Sequence, residues 1–166
     1  MSVAFRRESD EEHLEPKFEL PIPRAPNRVT AAGQRLIATR IAELEAALAT
    51  AAPDAVDALR RDLRYWQTRR TTAIPTAAPE DGSAGFGTRV TIRLGGRERT
   101  IDIVGDDEAD PAADRLGYGA PLAQALFGAE VGDQLAFNGR DETIEVLAVA
   151  PIDAAEGPSY EAGGAS

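Results

Sequence analysis

The chain has 166 residues, no cysteine, one His and a formal net charge of −10. That length leaves room for one globular domain plus an extended element, and the lack of cysteine excludes disulfides, thiolate catalysis and cysteine-based zinc sites. The acidity argues against a general grip on nucleic acid through phosphate neutralisation.

The charge is unevenly spread: residues 1–27 carry a net −2, residues 28–72 a net +3 with eight Arg, and residues 73–166 a net −11. A basic arm on an acidic body suits a protein partner of alternating charge better than a duplex. No apolar run approaches the roughly 20 residues of a membrane span, and Met1-Ser2-Val3-Ala4-Phe5-Arg6-Arg7 lacks the apolar region of an export signal. The expectation is a cytoplasmic protein without membrane contact.

Residues 1–27 mix charges with Pro16, Pro21, Pro23 and Pro26, each of which removes a backbone donor and biases its predecessor toward extended conformations. They read as a flexible leader in which Phe18, Leu20 and Ile22 alternate as an extended strip. Residues 28–74 read as an antiparallel helical hairpin. Thr30 is suited to cap the first helix, whose seam is Ile37, Ile41, Leu44 and Leu48. Pro53 and Asp54 suit the first turn of a second helix, with a seam of Val56, Leu59, Leu63 and Trp66. Each arm of about 20 residues extends roughly 30 Å. Arg60, Arg61, Arg64, Arg69 and Arg70 offer either a basic contact surface or an ordinary solvent face.

Pro75, Pro79 and the run Glu80-Asp81-Gly82-Ser83-Ala84-Gly85 make residues 75–85 a linker. From Phe86 the period changes to two. Val90, Ile92 and Leu94 alternate, Gly95-Gly96 turns, and Thr100 to Val104 returns as a second strand. A short helix from Pro121 to Phe127 follows. Two further strands, Gln134 to Phe137 and Thr143 to Val149, are joined by Asn138-Gly139-Arg140-Asp141. Residues 86–152 therefore read as a small domain of antiparallel strands and one helix, and residues 153–166 as a flexible tail. The fold class is α+β.

Between the second strand and the helix lies Ile103-Val104-Gly105-Asp106-Asp107-Glu108-Ala109-Asp110, an apolar strand end running into four carboxylates. With no His nearby, such a cluster is a poor metal site. The order of strand, acidic loop, Ala120-Pro121-Leu122-Ala123 with Leu126 and Gly128, then Val131-Gly132-Asp133, resembles the C-terminal domain of the Gre transcript-cleavage factors of bacterial RNA polymerase, from about Val29 to Pro151. Ala120 stands where the family usually has Ser.

The resemblance implies an FKBP-like C-terminal domain after a coiled coil, and docking on the rim of the polymerase secondary channel through Asp106, Asp107, Glu108, Asp110, Ala120, Pro121 and Leu122. It implies the RNA polymerase core enzyme as partner, indirect contact with DNA or RNA in the elongation complex, and a monomer. The family places an acidic pair at the hairpin tip, where it helps hold a magnesium ion at the polymerase's own active site. This chain lacks that motif and has a shorter hairpin. Asp54 and Asp57 are its tip acids, placed either as a shortened version of that pair or simply as helix first-turn acids. The implied function is a regulator of elongation that is not itself an enzyme, has no cofactor of its own, and uses magnesium only if the tip acids reach the polymerase site. Two alternatives remain open on the residues alone. One is a prolyl isomerase or chaperone module, for which Phe86, Tyr118, Phe127 and Phe137 are the available aromatics. The other is a coiled-coil adaptor that dimerises through its seams.

Overall fold

The computed structural model describes residues 19–139 and 142–152, so most of the leader, Arg140-Asp141 of one turn, and the tail from residue 153 lie outside it. The described chain forms two units, one of residues 19–25 and 35–72 and one of residues 26–34 with 73–152.

The first unit is built on two helices. Helix α1 spans Ala31–Ala49 and α2 spans Val56–Thr72, with a 3-10 turn at Pro53–Ala55 between them. At 1.5 Å per residue they are about 28 and 26 Å long. Arg40, Glu43, Leu44 and Ala47 of α1 and Asp62 and Trp66 of α2 line one shallow groove of about 300 Å³. Ile37 and Ile41 are buried, whereas Leu44, Leu48, Val56, Leu59, Leu63 and Trp66 are only half-buried. A helix pair without a third layer covers one side of each seam residue and leaves the other wet.

The buried residue of α2 is Arg69, 1% exposed, with its guanidinium carbon 6.0 Å from the Tyr65 ring centroid. Arg61 pairs with Asp62, and Arg64 is clasped by Glu19. The five arginines of α2 therefore do not form one open basic face.

The second unit holds a five-stranded sheet in the order β5-β4-β3-β7-β6. Its strands are β3 (Thr88–Leu94), β4 (Arg97–Val104), β5 (Arg115–Gly117), β6 (Gln134–Phe137) and β7 (Glu142–Pro151). Gly95 and Gly96, both at positive φ, make the tight turn between β3 and β4 that L side chains resist. Cross-strand partners carry opposite charges: Arg89 grips Asp102 with two bonds of 2.7 and 2.9 Å, and Arg93 meets Glu145 at 2.6 Å.

The core is the inward face of three strands, Val90, Ile92, Ile101, Ile103, Ile144 and Val146, covered by Leu122, Ala123 and Leu126 of α3 (Pro121–Leu126). The register of β3 against β7 slips between Thr91 and Ile92, leaving Leu147 as the extra residue. That bulge lets β7 continue to Pro151.

Two expectations are corrected. The strands are not all antiparallel: β5 runs parallel to β4, with Val104 opposite Gly117. Three residues between two loops carry little periodicity, which hides such a strand in the sequence. The linear division into a hairpin from residue 28 and a linker at 75–85 also differs from the fold. Arg28–Val29 (β1) pairs in parallel with Ile74–Pro75 (β2), and residues 26–34 group with the sheet. Ser83 and Ala84 of the expected linker are buried, because Ala84 exchanges backbone bonds with Gly128 and Ala129 beyond α3.

Candidate docking site

Parallel strands deliver their C-terminal ends to the same side of a sheet, so the pairing of β4 with β5 decides where the two candidate segments emerge. From Val104 the chain enters the acidic turn, and from its register partner Gly117 it enters Tyr118-Gly119-Ala120 and α3. Segments about a dozen residues apart thus leave the sheet side by side.

The acidic turn is a single 3-10 turn, Asp106–Glu108, closed by the Glu108 amide on the Gly105 carbonyl at 3.1 Å. Beyond it a second turn, Pro111–Ala113, returns the chain to β5, and the Asp110 and Arg115 backbones bond to each other in both directions. Asp114 there is left-handed at φ 57 and accepts a 2.7 Å bond from Arg99.

The seven docking candidates do not share one environment. Asp110 and Pro121 are exposed, and Asp106, Asp107 and Ala120 are half-buried. Glu108, expected at the docking surface, is instead 5% exposed, and Leu122 is 8% exposed beneath α3. Both are corrections to a surface role. Leu122 falls on the sheet-facing side of a one-and-a-half-turn helix. Glu108 ends the 3-10 turn and folds inward, because a helix N-terminus waits there with unpaired donors.

That N-terminus is the start of α1. The Glu108 carboxylate accepts bonds from the Thr30 hydroxyl at 2.5 Å, the Thr30 amide at 3.3 Å and the Gly105 amide at 3.3 Å. The Thr30 hydroxyl accepts in turn from the Gly33 amide at 3.0 Å, which is the N-cap bond expected of Thr30. Arg115 stands 3.8 Å from the same carboxylate. An anion at the positive end of a helix with three donors is a satisfied arrangement for a buried charge. Two glycines make room for it. A Cβ on Gly33 would overlap the Glu108 carboxylate, and one on Gly105 would overlap the Arg28 carbonyl. Sequence reasoning missed this cluster, although a glycine in the first turn of an otherwise Ala-rich helix was a signal of close approach.

Tyr118 donates from its hydroxyl to the Pro26 carbonyl at 2.5 Å and packs edge to face on Phe86 at 5.6 Å. Phe137 packs against the core and Phe127 is 42% exposed. Phe86 and Tyr118 thus share one ring contact, whereas Phe127 stands partly open to solvent. Ala120 occupies the N-cap of α3 with extended backbone and no side-chain cap. Asp54 and Asp57 are exposed, in the turn before α2 and in its first turn. Among the described residues no group of three His, Asp or Glu is placed to hold a metal ion, and no helix is long and apolar enough to cross a membrane.

The second unit is thus a small mixed helix-and-sheet domain whose acidic turn and short helix emerge together from a parallel strand pair. Residues 79–151 match the family described as transcription elongation factor GreA/GreB, C-terminal. The chain is 40% identical over 90 residues to transcription elongation factor GreB of Neisseria meningitidis serogroup A, covering 49% of this chain and 55% of that protein. It is 38% identical over 88 residues to transcription elongation factor GreA of Agrobacterium fabrum, covering 49% and 54%. The chain therefore spans about half the length of the curated relatives it matches. Among solved structures, the GreA factor homolog 1 (Gfh1) protein of Thermus thermophilus aligns over 76% of this chain and 99% of its own, at 16% identity and a TM-score of 0.37.

Proposed function

We propose that the protein is a Gre-type regulator of transcription elongation that acts in the cytoplasm by docking on the RNA polymerase core enzyme at its secondary channel. The observation that carries this is the match of residues 79–151 to the Gre C-terminal family, together with the acidic turn from Asp106 and the Ala120-Pro121 start of α3, which follow the paired ends of β4 and β5. In this reading α1 and α2 are the family's antiparallel coiled coil in shortened form, and the sheet with α3 is its FKBP-like domain. The protein is not an enzyme. Any RNA cleavage belongs to the polymerase's active site, and magnesium is that site's ion. In this reading the shortened arms, of about 28 and 26 Å, keep Asp54 and Asp57 of the exposed turn from reaching that site, which favours regulation by occupancy of the channel over stimulated cleavage.

Pull-down with core enzyme tests the docking. The wild type is expected to be retained, and Asp107→Arg to be lost by charge reversal at the turn. Failure of the wild type to bind would remove the Gre-type function. A backtracked elongation complex with labelled RNA tests the second part: no shortening of the transcript is expected. Shortening that disappears in Asp54→Ala/Asp57→Ala would make the tip acids catalytic partners after all.

A further inference from the structure

The acidic turn has two kinds of carboxylate. Asp106 and Asp107 are half-buried at its surface, whereas Glu108 points the other way into the start of α1. One side chain thereby joins four backbone stretches: the turn at Gly105, the cap at Thr30, the first helical turn at Gly33 through the Thr30 hydroxyl, and β5 through Arg115. The two glycines permit this close fit, since a Cβ at either would have to displace the carboxylate or the Arg28 carbonyl. The β1–β2 pairing and the Tyr118 hydroxyl on Pro26 also hold the chain just before Thr30.

We infer that Glu108 is a positioning residue: it locks the docking turn and the first turn of α1 into one rigid piece, so a partner seated on Asp106 and Asp107 also fixes residues 30–34. This rests on the docking function proposed above for the turn. Docking contacts and the helix start are then coupled through a single carboxylate, and loosening Thr30 loosens a surface 78 positions away. A capping residue with a purely local role would not do so.

Amide hydrogen exchange on the full chain reads the lock without any partner. Thr30→Val removes the hydroxyl and keeps the shape. Exchange at Gly105, Glu108 and Ala109 is expected to speed up by about tenfold, the loss of one good cap contact expressed as local opening. Thr30→Ser restores the hydroxyl and is expected to restore protection. Faster exchange confined to residues 30–34 would overturn the coupling, as would a Ser variant that behaves like Val. Affinity for core enzyme is then measured for the same variants. Thr30→Val is expected to bind several-fold more weakly and Thr30→Ser like the wild type; a loosened turn with undiminished affinity would overturn the positioning role. If the wild type itself does not bind, the docking function fails and the coupling is still decided by exchange.

Discussion

Thr30 and Glu108 are 78 positions apart and share two hydrogen bonds, one from the Thr30 hydroxyl and one from its amide. The hydroxyl that donates to the carboxylate also accepts from Gly33, so the helix cap and the acidic turn are one hydrogen-bonded system. The space for it comes from Gly33, where any Cβ would overlap the carboxylate.

Gly33→Ala therefore has an expected sign that depends on Glu108. In the wild type the added methyl overpacks a buried charge and lowers stability by about 1–3 kcal/mol. In a Glu108→Ala background the obstacle is gone, and Ala is expected to gain up to about 1 kcal/mol over Gly from helix propensity. Urea unfolding of the four proteins checks this, and the same sign in both backgrounds would contradict the packing described.

Ala120 leaves the N-terminus of α3 without a side-chain acceptor. Its backbone is already extended, at φ −66 and ψ 147, as a capping residue requires. Ala120→Ser is expected to raise stability by about 0.5–2 kcal/mol, read as a higher urea midpoint at unchanged slope.

The Asp81 carboxylate accepts from the Ser83 hydroxyl at 2.7 Å and the Ser83 amide at 2.9 Å. The hydroxyl bond first, then the amide bond, hold its pKa below the ordinary aspartate value. A depressed folded pKa means that stabilisation is present above the unfolded value and is lost as pH falls through the folded one. NMR titration is expected to give an Asp81 midpoint below that of an unstructured peptide, returning toward it in Ser83→Ala.

On the first unit Glu19 clasps Arg64 with both carboxylate oxygens, at 2.6–2.9 Å. The Arg64 hydrogen bond lowers the Glu19 pKa, with Arg64 and Arg61 charges adding to it. Arg64→Ala is expected to return the Glu19 titration toward the ordinary glutamate range while leaving the global unfolding midpoint in place, because an exposed pair of this kind is screened by solvent.

Much of the fold was legible in local pattern. The spacing of Ile37 and Ile41, the alternation of Val90 and Ile92, and the Gly95-Gly96 turn each state their element within a few residues. The helix from Pro121 and the cap at Thr30 were equally visible. What escaped was short or non-local. Strand β5 has three residues and β1 has two, too few for a period to show.

The candidate site divides along the same line. Its acidic run and its family resemblance lie in consecutive residues, and local order alone determined that a strand would end in four carboxylates followed by a short helix. Which of those carboxylates faces outward was decided only by the tertiary structure. A side chain's burial depends on what the rest of the chain brings to it, and the helix N-terminus that draws Glu108 inward comes from residues more than seventy positions earlier. Hydrogen-bond donors so distant in sequence leave no periodicity behind, only a glycine at position 33 where a helix would ordinarily prefer alanine.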